Sequence, residues 1–145
     1  MVHTGYLELR THGNTDIHDL TRPVEKIVKD SGIGVGMVTV FSPSSTSSVT
    51  TIEYESGALE DLRRALDSIA PSDGEYRHNL RWGDGNGHSH LRAALLGPSL
   101  SVPVINGQLA LGTWQQIIFL DFDVKARSRE IIVQVAGDSA RGGDR

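Results

Sequence analysis

Three histidines lie close together in the middle of the chain, and together they could bind a divalent metal. They are His78, His88 and His90, and the neutral imidazole ring is a common ligand for zinc-like ions. His88 and His90 would share a face in an extended segment but would diverge on a regular helix. Because the chain has no cysteine, His, Asp or Glu must supply any metal ligand. The alternative is that one histidine ends a turn, another packs, and the third is solvated.

Polar residues near the histidines and in an earlier turn are candidates for substrate binding. Asn86 lies in an Asp-Gly-Asn-Gly segment, which tight turns alone would also explain. Ser44, Ser45 and Thr46 form a hydroxyl-rich turn that could bind phosphate through hydroxyl and amide groups. The same turn could also be a simple connection between strands.

Four further side chains have both a chemical and a structural interpretation. Glu53 ends a β-branched run and could be a general base or an exposed carboxylate at a strand end. Trp114 could pack in the core or form the wall of a pocket for a flat aromatic ligand. Arg127 and Arg129 are two residues apart, so on a strand they share a face and could hold an anion, or form a solvated edge.

The elements that must position these residues are short and strand-rich. Two helices are predicted, over 22–31 with Thr21 as N-cap and Gly32 as C-cap, and from Ser56 to the residue before Pro71. A polar loop follows, and then a short helix at 88–97. The strands are predicted at 5–10, 14–20, 35–41 and 47–53, with four more β runs from Ser99 onward and an Asn-Gly turn at 106–107. The strands at 35–41 and 47–53 are expected to pair directly.

The composition indicates a single domain and excludes several classes of function. The chain has 145 residues, a mass of 15.7 kDa and a net charge of -4, which disfavours nucleic acid as a partner. The sequence shows no long apolar segment that would indicate a membrane partner, so a cytoplasmic location is expected. We predict one domain over residues 1–137 and a flexible tail over 138–145. The fold class is expected to be α+β, with a mostly antiparallel sheet or a helix-decorated β-sandwich.

The order of motifs resembles the YjbQ family, whose members are called secondary thiamine-phosphate synthases. The resemblance covers residues 5–137 and rests on a Pro-Ser-Ser-Thr turn leading to Thr-Ile-Glu, Gly-His-Ser-His-Leu, Leu-x-Gly-Pro-Ser, Gly-Thr-Trp-Gln and Arg-x-Arg. It implies a β-sandwich of jelly-roll character with two to three flanking helices. It also implies a homotrimer with sites near the subunit boundaries.

The resemblance also implies a set of functional residues. His78 and His90 match the family's metal-binding histidines, with Glu53 nearby as a base or supporting carboxylate and Gln115 as an orienting partner. The family turn commonly has a histidine where this chain has Ser44, so His88 is the candidate replacement ligand. Arg127 and the metal would stabilise a leaving group, and Trp114 would face a pyrimidine cation. One small polar pocket is expected to contain the turn at 44–46, Glu53, the three histidines and Gln115.

The activity that the resemblance implies is a weak thiamine-phosphate synthase reaction. A hydroxymethylpyrimidine diphosphate is joined to a thiazole phosphate, and pyrophosphate is released. The cofactor expected is a divalent metal, with zinc as a candidate. Two alternatives stay open: a non-enzymatic binder of a metal or a small phosphorylated metabolite, and a metal-dependent hydrolase with Glu53 as base.

Overall fold

A computed structural model describes residues 1–140 as eight strands and four helices. The predicted α+β class and the mostly antiparallel sheets are confirmed, whereas the jelly-roll connectivity stays a prediction. No helix in this range is long and apolar enough to cross a bilayer. The elements in chain order are β1 (Val2–Thr11), β2 (Asp16–Asp19), α1 (Thr21–Ser31), β3 (Ile33–Phe41), β4 (Ser47–Ile52), α2 (Ser56–Ile69), α3 (Arg77–Trp82), α4 (Gly87–Leu96), β5 (Ser99–Ile105), β6 (Gln108–Leu109), β7 (Gln116–Asp121) and β8 (Arg127–Ser139).

The strands form two antiparallel sheets. A five-stranded sheet has the order β1-β8-β3-β5-β6, and a three-stranded sheet has the order β2-β7-β4. The predicted direct pairing of β3 with β4 is therefore wrong, since the chain crosses between the sheets at 42–46. Ser42 N–H donates to Pro98 O (2.8 Å), one position beyond the last β3–β5 pair, Phe41 with Ser99. Val49 of β4 then enters the core from the second sheet.

The strand β7 is buried on both faces because apolar layers lie on either side of it. Its residues Ile117 and Phe119 join α1 and the inner side chains of the five-stranded sheet in one core cluster. Ile118 and Leu120 point the other way, into a second cluster with residues of α2 and α4. This explains why β7 is a continuous apolar run rather than an alternating one. The segment that follows β7 therefore starts from a strand that is packed firmly on both faces.

The helix ends differ from prediction in which side chains cap them. Thr21 does not cap α1: its hydroxyl accepts from Ile117 N–H (2.9 Å), and Asp19 Oδ1 accepts from Thr21 N–H (2.9 Å). Glu55 rather than Ser56 caps α2, accepting from the N–H groups of Gly57 and Ala58 at 2.7 Å each. The predicted C-cap of α1 is confirmed, with Gly32 in the left-handed conformation at φ 72°.

Three local predictions can also be compared with the fold. The Asn-Gly turn is confirmed, with φ values of 53° and 74° at Asn106 and Gly107. The polar loop after Pro71 contains a short helix, α3, that was not predicted because its six residues carry no apolar periodicity. The tail expected from residue 138 begins inside β8, which runs to Ser139. The last five residues of that predicted tail lie outside the described range.

Candidate functional site

Two buried aspartates and two arginines form a network where β7 ends and β8 begins. Asp121 and Asp123 are 0% and 2% exposed, so each carboxylate needs a partner. Arg129 binds Asp121 in a bidentate pair, from Nε to Oδ2 (2.8 Å) and from Nη2 to Oδ1 (2.9 Å). Arg127 Nε donates to Asp123 Oδ2 (2.9 Å), and the Thr11 hydroxyl donates to Asp121 Oδ2 (2.6 Å). The guanidinium groups of both arginines are thus paired with carboxylates of the same chain.

The same network fixes the hydroxyl-rich turn before β4. Arg129 Nη1 donates to Ser44 Oγ (3.1 Å), and Nη2 donates to Thr46 Oγ1 (2.9 Å). Thr46 N–H also donates to Ser44 Oγ (3.1 Å). Ser45 is exposed at the tip of the turn. The hydroxyls of Ser44 and Thr46 therefore have a structural task, and Ser45 is the member of the predicted substrate-binding turn that faces solvent.

The two aspartates were missed by sequence reasoning. They end an apolar run, and such residues are easily read as the polar boundary of a strand. A signal was nevertheless present: Asp121 and Asp123 have the same two-residue spacing as Arg127 and Arg129. Residues spaced by two on adjoining extended segments share a face. That match predicts carboxylate–guanidinium pairs.

Helix α4 is anchored directly beside this network. The Ser89 hydroxyl donates to the carbonyl of Phe122, which lies between the two aspartates. On the other side, Ser48 Oγ of β4 donates to Ala93 O (3.2 Å). Asn86, just before the helix, is buried, and its side-chain amide lies against Asp84; hydrogen bonding assigns the nitrogen to this side, 3.0 and 3.1 Å from the two carboxylate oxygens. The start of α4 is therefore held in a defined position next to Asp84.

His78 of α3 and His90 of α4 lie against each other. Their ring centroids are 4.4 Å apart, with an interplanar angle of 42°. His78 Nδ1 is buried without a hydrogen-bond partner; Asp84 Oδ1 lies 3.5 Å away but makes no hydrogen bond to it. A buried nitrogen in this state can bind a metal. This histidine pair is the part of the predicted metal site that the fold brings together.

His88 lies elsewhere, because the segment that carries it is helical. Each residue of a helix is rotated by about 100° from the one before it, so side chains two residues apart point about 200° apart. His88 therefore points away from His90. Its ring packs near Tyr76, with centroids 6.3 Å apart, and it is 3% exposed. Burial, followed by the charge of Arg92, lowers the pKa of His88 below its ordinary value. His88 is thus not brought to the histidine pair as the replacement third ligand.

Three other predicted site residues lie at the opposite end of the three-stranded sheet. The β4–β7 register runs from Ser47 opposite Asp121 to Ile52 opposite Gln116, a span of about 17 Å at about 3.4 Å per residue. Glu53 follows Ile52 and is exposed. Within one chain, the expected single pocket containing Glu53 and the histidines is therefore wrong.

The two predicted residues beside Glu53 have surroundings of their own. Gln115 Oε1 accepts from Gly112 N–H (3.0 Å), and its Nε2 donates to Thr51 Oγ1 (3.3 Å). Trp114 is 71% exposed, so its interpretation as a core residue is wrong. Glu53, Trp114 and Gln115 form a separate surface group, which we call the far-end group.

Two charges of the Asp–Arg network, those of Asp123 and Arg129, are fixed at neutral pH. Burial alone would raise the pKa of Asp123, but the Val124 N–H and the Arg127 guanidinium outweigh it and hold that pKa below its ordinary value of 3.8. The hydrogen bonds to Asp121 raise the pKa of Arg129 further above its usual range. These groups therefore stay ionised, and their charges largely cancel.

The described residues contain no group of three or more His, Cys, Asp or Glu side chains arranged to hold a metal ion. The histidine pair offers two nitrogen ligands from one chain. An open cleft of about 380 Å³ lies beside Arg129 at the paired ends of β1 and β8. Arg10 and Ser128 also line it, together with Glu8 and Glu130. The cleft is lined by residues of β1 and β8, whereas the histidine pair lies on α3 and α4.

The sequence and the fold were compared with those of known proteins. Residues 5–138 match the model of the family described as UPF0047 protein YjbQ-like. A UPF0047 protein of Methanothermobacter thermautotrophicus is 46% identical over 94% of this chain and 93% of its own. The UPF0047 protein YugU of Bacillus subtilis is 31% identical over 90% of this chain and 97% of its own.

Solved structures show the same fold. A YbjQ-like protein of unknown function from Sulfolobus solfataricus superposes with a TM-score of 0.86 at 31% identity, covering 95% of this chain and 100% of that one. A hypothetical protein from Aeropyrum pernix gives a TM-score of 0.87 at 32% identity, with coverages of 94% and 99%.

Proposed function

The chain belongs to the YjbQ-like UPF0047 family, and from that membership we propose that it is a weak transferase of the thiamine-phosphate synthase kind. In this reaction the carbon–oxygen bond of a hydroxymethylpyrimidine diphosphate breaks and releases pyrophosphate. The carbon then bonds to the nitrogen of a thiazole phosphate. Such a diphosphate can ionise first, so the protein must mainly stabilise the negative charge of the leaving group. No dedicated nucleophilic side chain is required.

The observation that carries the proposal is the contact between His78 and His90. Two imidazoles from different helices have centroids 4.4 Å apart, and the buried Nδ1 of His78 has no hydrogen-bond partner. These residues fit a divalent metal, zinc among the candidates, with positions left open for substrate oxygens. When bound, that metal would supply Lewis-acid stabilisation of the leaving pyrophosphate. Asn86 holds the Asp84 carboxylate beside His78, where its negative charge favours a cation.

The separation of the far-end group from the histidine pair leads to a proposal about assembly. We propose that the chain forms a homotrimer in the cytoplasm, and that the far-end group of one copy meets the histidine pair of the next. Glu53, Gln115 and Trp114 would then complete the site across a subunit boundary, with Trp114 facing the pyrimidine. The 71% exposure of Trp114 in a single chain supports this arrangement.

An exposed apolar face gives further support for self-association. The outer face of the five-stranded sheet carries a cross-strand row of Val2, Ala136, Met37 and Pro103. Val2 and Met37 are 68% and 48% exposed, and Tyr6 on the same face is 58% exposed. Contact between copies would bury this surface and stabilise the assembly.

The test is pyrophosphate release from the two thiamine precursors by untagged protein supplied with a divalent metal. Wild type is expected to release pyrophosphate and form thiamine phosphate, and His90→Ala is expected to reduce the rate by at least about 100-fold, since a metal ligand is lost. The matched control is His3→Ala, at the end of β1 remote from the site. Equal rates in His90→Ala and His3→Ala would contradict the proposal. Pyrophosphate release without thiamine phosphate would instead indicate the hydrolase alternative.

A second candidate is a non-enzymatic binder of a small phosphorylated metabolite. It is favoured by Ser44, which stands where the family commonly has histidine and is held by Arg129 rather than directed at the histidine pair. In the polar cleft beside Arg129, Arg10 and Ser128 offer hydrogen-bond donors for a phosphate. Saturable binding of the pyrimidine diphosphate without any product would identify this function.

A further inference from the structure

A second polar cavity lies on the other side of α4 from the histidine pair. It has a volume of about 190 Å³ and lies between α2, α4 and the β1–β2 turn. Thr15, Arg63, Asp67, His88 and Arg92 line it, together with Asn14 and Ser72. The volume is smaller than the roughly 300 to 1,000 Å³ of typical small-molecule pockets. The cavity therefore suits an ion or one small chemical group.

Arg92 is the central charged group of this cavity and is almost fully buried, with 4% exposure. Nε donates to Ala70 O, Nη1 to Thr15 Oγ1 and Nη2 to Asp67 Oδ1, each at 2.9 Å. A guanidinium group has five N–H donors, so these contacts use three of them. These bonds fix the side chain in place, and its remaining N–H groups can donate to a ligand in the cavity.

Two further groups add donors to the same space. Arg63 donates from Nε to Thr15 O (3.2 Å), which leaves its outer nitrogens toward solvent at the cavity. Thr15 Oγ1 accepts from Arg92, so its own hydroxyl proton is available to a ligand. The two arginines outnumber Asp67, which gives the cavity a net positive charge.

His88 supplies the observation that points to an occupant. Its ring is 3% exposed, and its Nδ1 has no hydrogen-bond partner among the described residues. Buried polar atoms in folded proteins are nearly always hydrogen-bonded. The ring of His88 therefore lines the cavity without a hydrogen-bond partner among the described residues, and together with the two arginines and the free hydroxyl it suits a ligand that accepts hydrogen bonds.

The backbone that presents Thr15 is held in an unusual conformation. Gly13, Asn14 and Thr15 all have positive φ, at 75°, 54° and 63°. The turn is kept in place by bonds from Asn14 N–H to Asp123 O (2.7 Å) and from Thr15 N–H to Asp121 O (2.8 Å). A β-branched residue with positive φ is rare, and such strain is concentrated at functional sites. The turn thus holds Thr15 at the cavity despite that strain.

We propose that this cavity binds a small oxyanion, either a phosphate group or a carboxylate, through Arg63, Arg92, Thr15 and His88. The site is separate from the histidine pair and does not depend on the transferase activity. Because α4 carries His88 into one site and His90 into the other, occupancy of the cavity also stabilises the helix that supports both.

Calorimetric titration with inorganic phosphate, and separately with acetate, tests the proposal on the intact protein. Saturable binding is expected, and Arg63→Gln is expected to weaken it about tenfold by removing one charged donor. The control is Arg64→Gln, the neighbouring position of α2, which removes the same charge but does not line the cavity. The two anions distinguish a phosphate site from a carboxylate site.

A second measurement locates the binding and does not depend on any variant. The amide signal of Thr15 and the ring signals of His88 should shift on titration in the NMR spectrum of wild type. The proposal is overturned if neither anion binds saturably, if Arg63→Gln and Arg64→Gln bind equally well, or if the Thr15 and His88 signals do not move.

Discussion

At the scale of single residues, Asp123 combines burial with a retained negative charge. It lies within the fold at 2% exposure and is bonded by Arg127 and by Val124 N–H. Because its pKa is lowered in the folded chain, ionised Asp123 favours the folded state. That contribution is present above its unfolded pKa and is lost as the pH falls through the lower folded pKa.

We therefore expect Asp123→Asn to reduce the free energy of unfolding by about 2 kcal/mol at pH 7, less than for a fully buried pair because Arg127 is 40% exposed. The difference from wild type should shrink as the pH falls below about 4. Urea unfolding followed by circular dichroism at a series of pH values measures it. The control is Asp61→Asn, on an exposed carboxylate of α2. A difference that stays constant down to pH 2 would contradict this account of Asp123.

Residue types and spacing predicted only part of the candidate site. The histidine pair could be predicted from the sequence because its two members match family positions and imidazole has a well-defined metal chemistry. His88 was the uncertain member, since only its backbone conformation decides whether it points with His90 or away from it. The partners of Arg129 were not predicted, because its pairing with Asp121 depends on how β8 of one sheet lies against the end of β7 in the other sheet.

At the scale of elements, segments with a strong apolar periodicity were predicted well, whereas the connections and pairings between them were predicted poorly. The apolar spacing of α2 and the β-branched runs gave nearly correct boundaries, because burial selects one face of each element. Helix α3 was missed because its six residues, four polar and two apolar, are too few to show such a period. The pairing of β3 with β4 was predicted from their closeness in sequence, whereas packing of Val49 in the core places β4 in the second sheet.

Between elements, the rigid position of α4 is central to both proposed sites. Its first turn is tied to Phe122 by Ser89, and its middle is tied to Asp67 and Thr15 by Arg92. One helix therefore fixes His90 beside His78 and His88 at the second cavity. Two positions that are two residues apart serve different sites because the helix turns them to different faces.

At the scale of the whole molecule, the length of β4 and β7 separates the far-end group from the histidine pair. A single chain cannot bring the two groups together, so the proposed site requires a second copy. Composition and periodicity carry no information on how copies pack, because a symmetric interface depends on the shape of the folded surface.

Mixing two inactive variants tests this arrangement. Neither Glu53→Ala nor His90→Ala should release pyrophosphate efficiently alone. When equal amounts are unfolded and reassembled together, random trimers should recover about a quarter of the wild-type activity, since half of the copies supply each intact group at a boundary. A control mixture of His78→Ala with His90→Ala should recover nothing, because both substitutions damage the same group. Equal inactivity of the two mixtures would show that the site is not shared between copies.

Metal content is the most direct test of the central claim, that His78 and His90 form the metal site and His88 does not. Elemental mass spectrometry on untagged protein, purified without chelator, should find about one divalent metal per chain in wild type and in His88→Ala. His78→Ala and His90→Ala should each contain far less. Metal-free wild type, or loss of metal in His88→Ala with retention in His90→Ala, would contradict the claim.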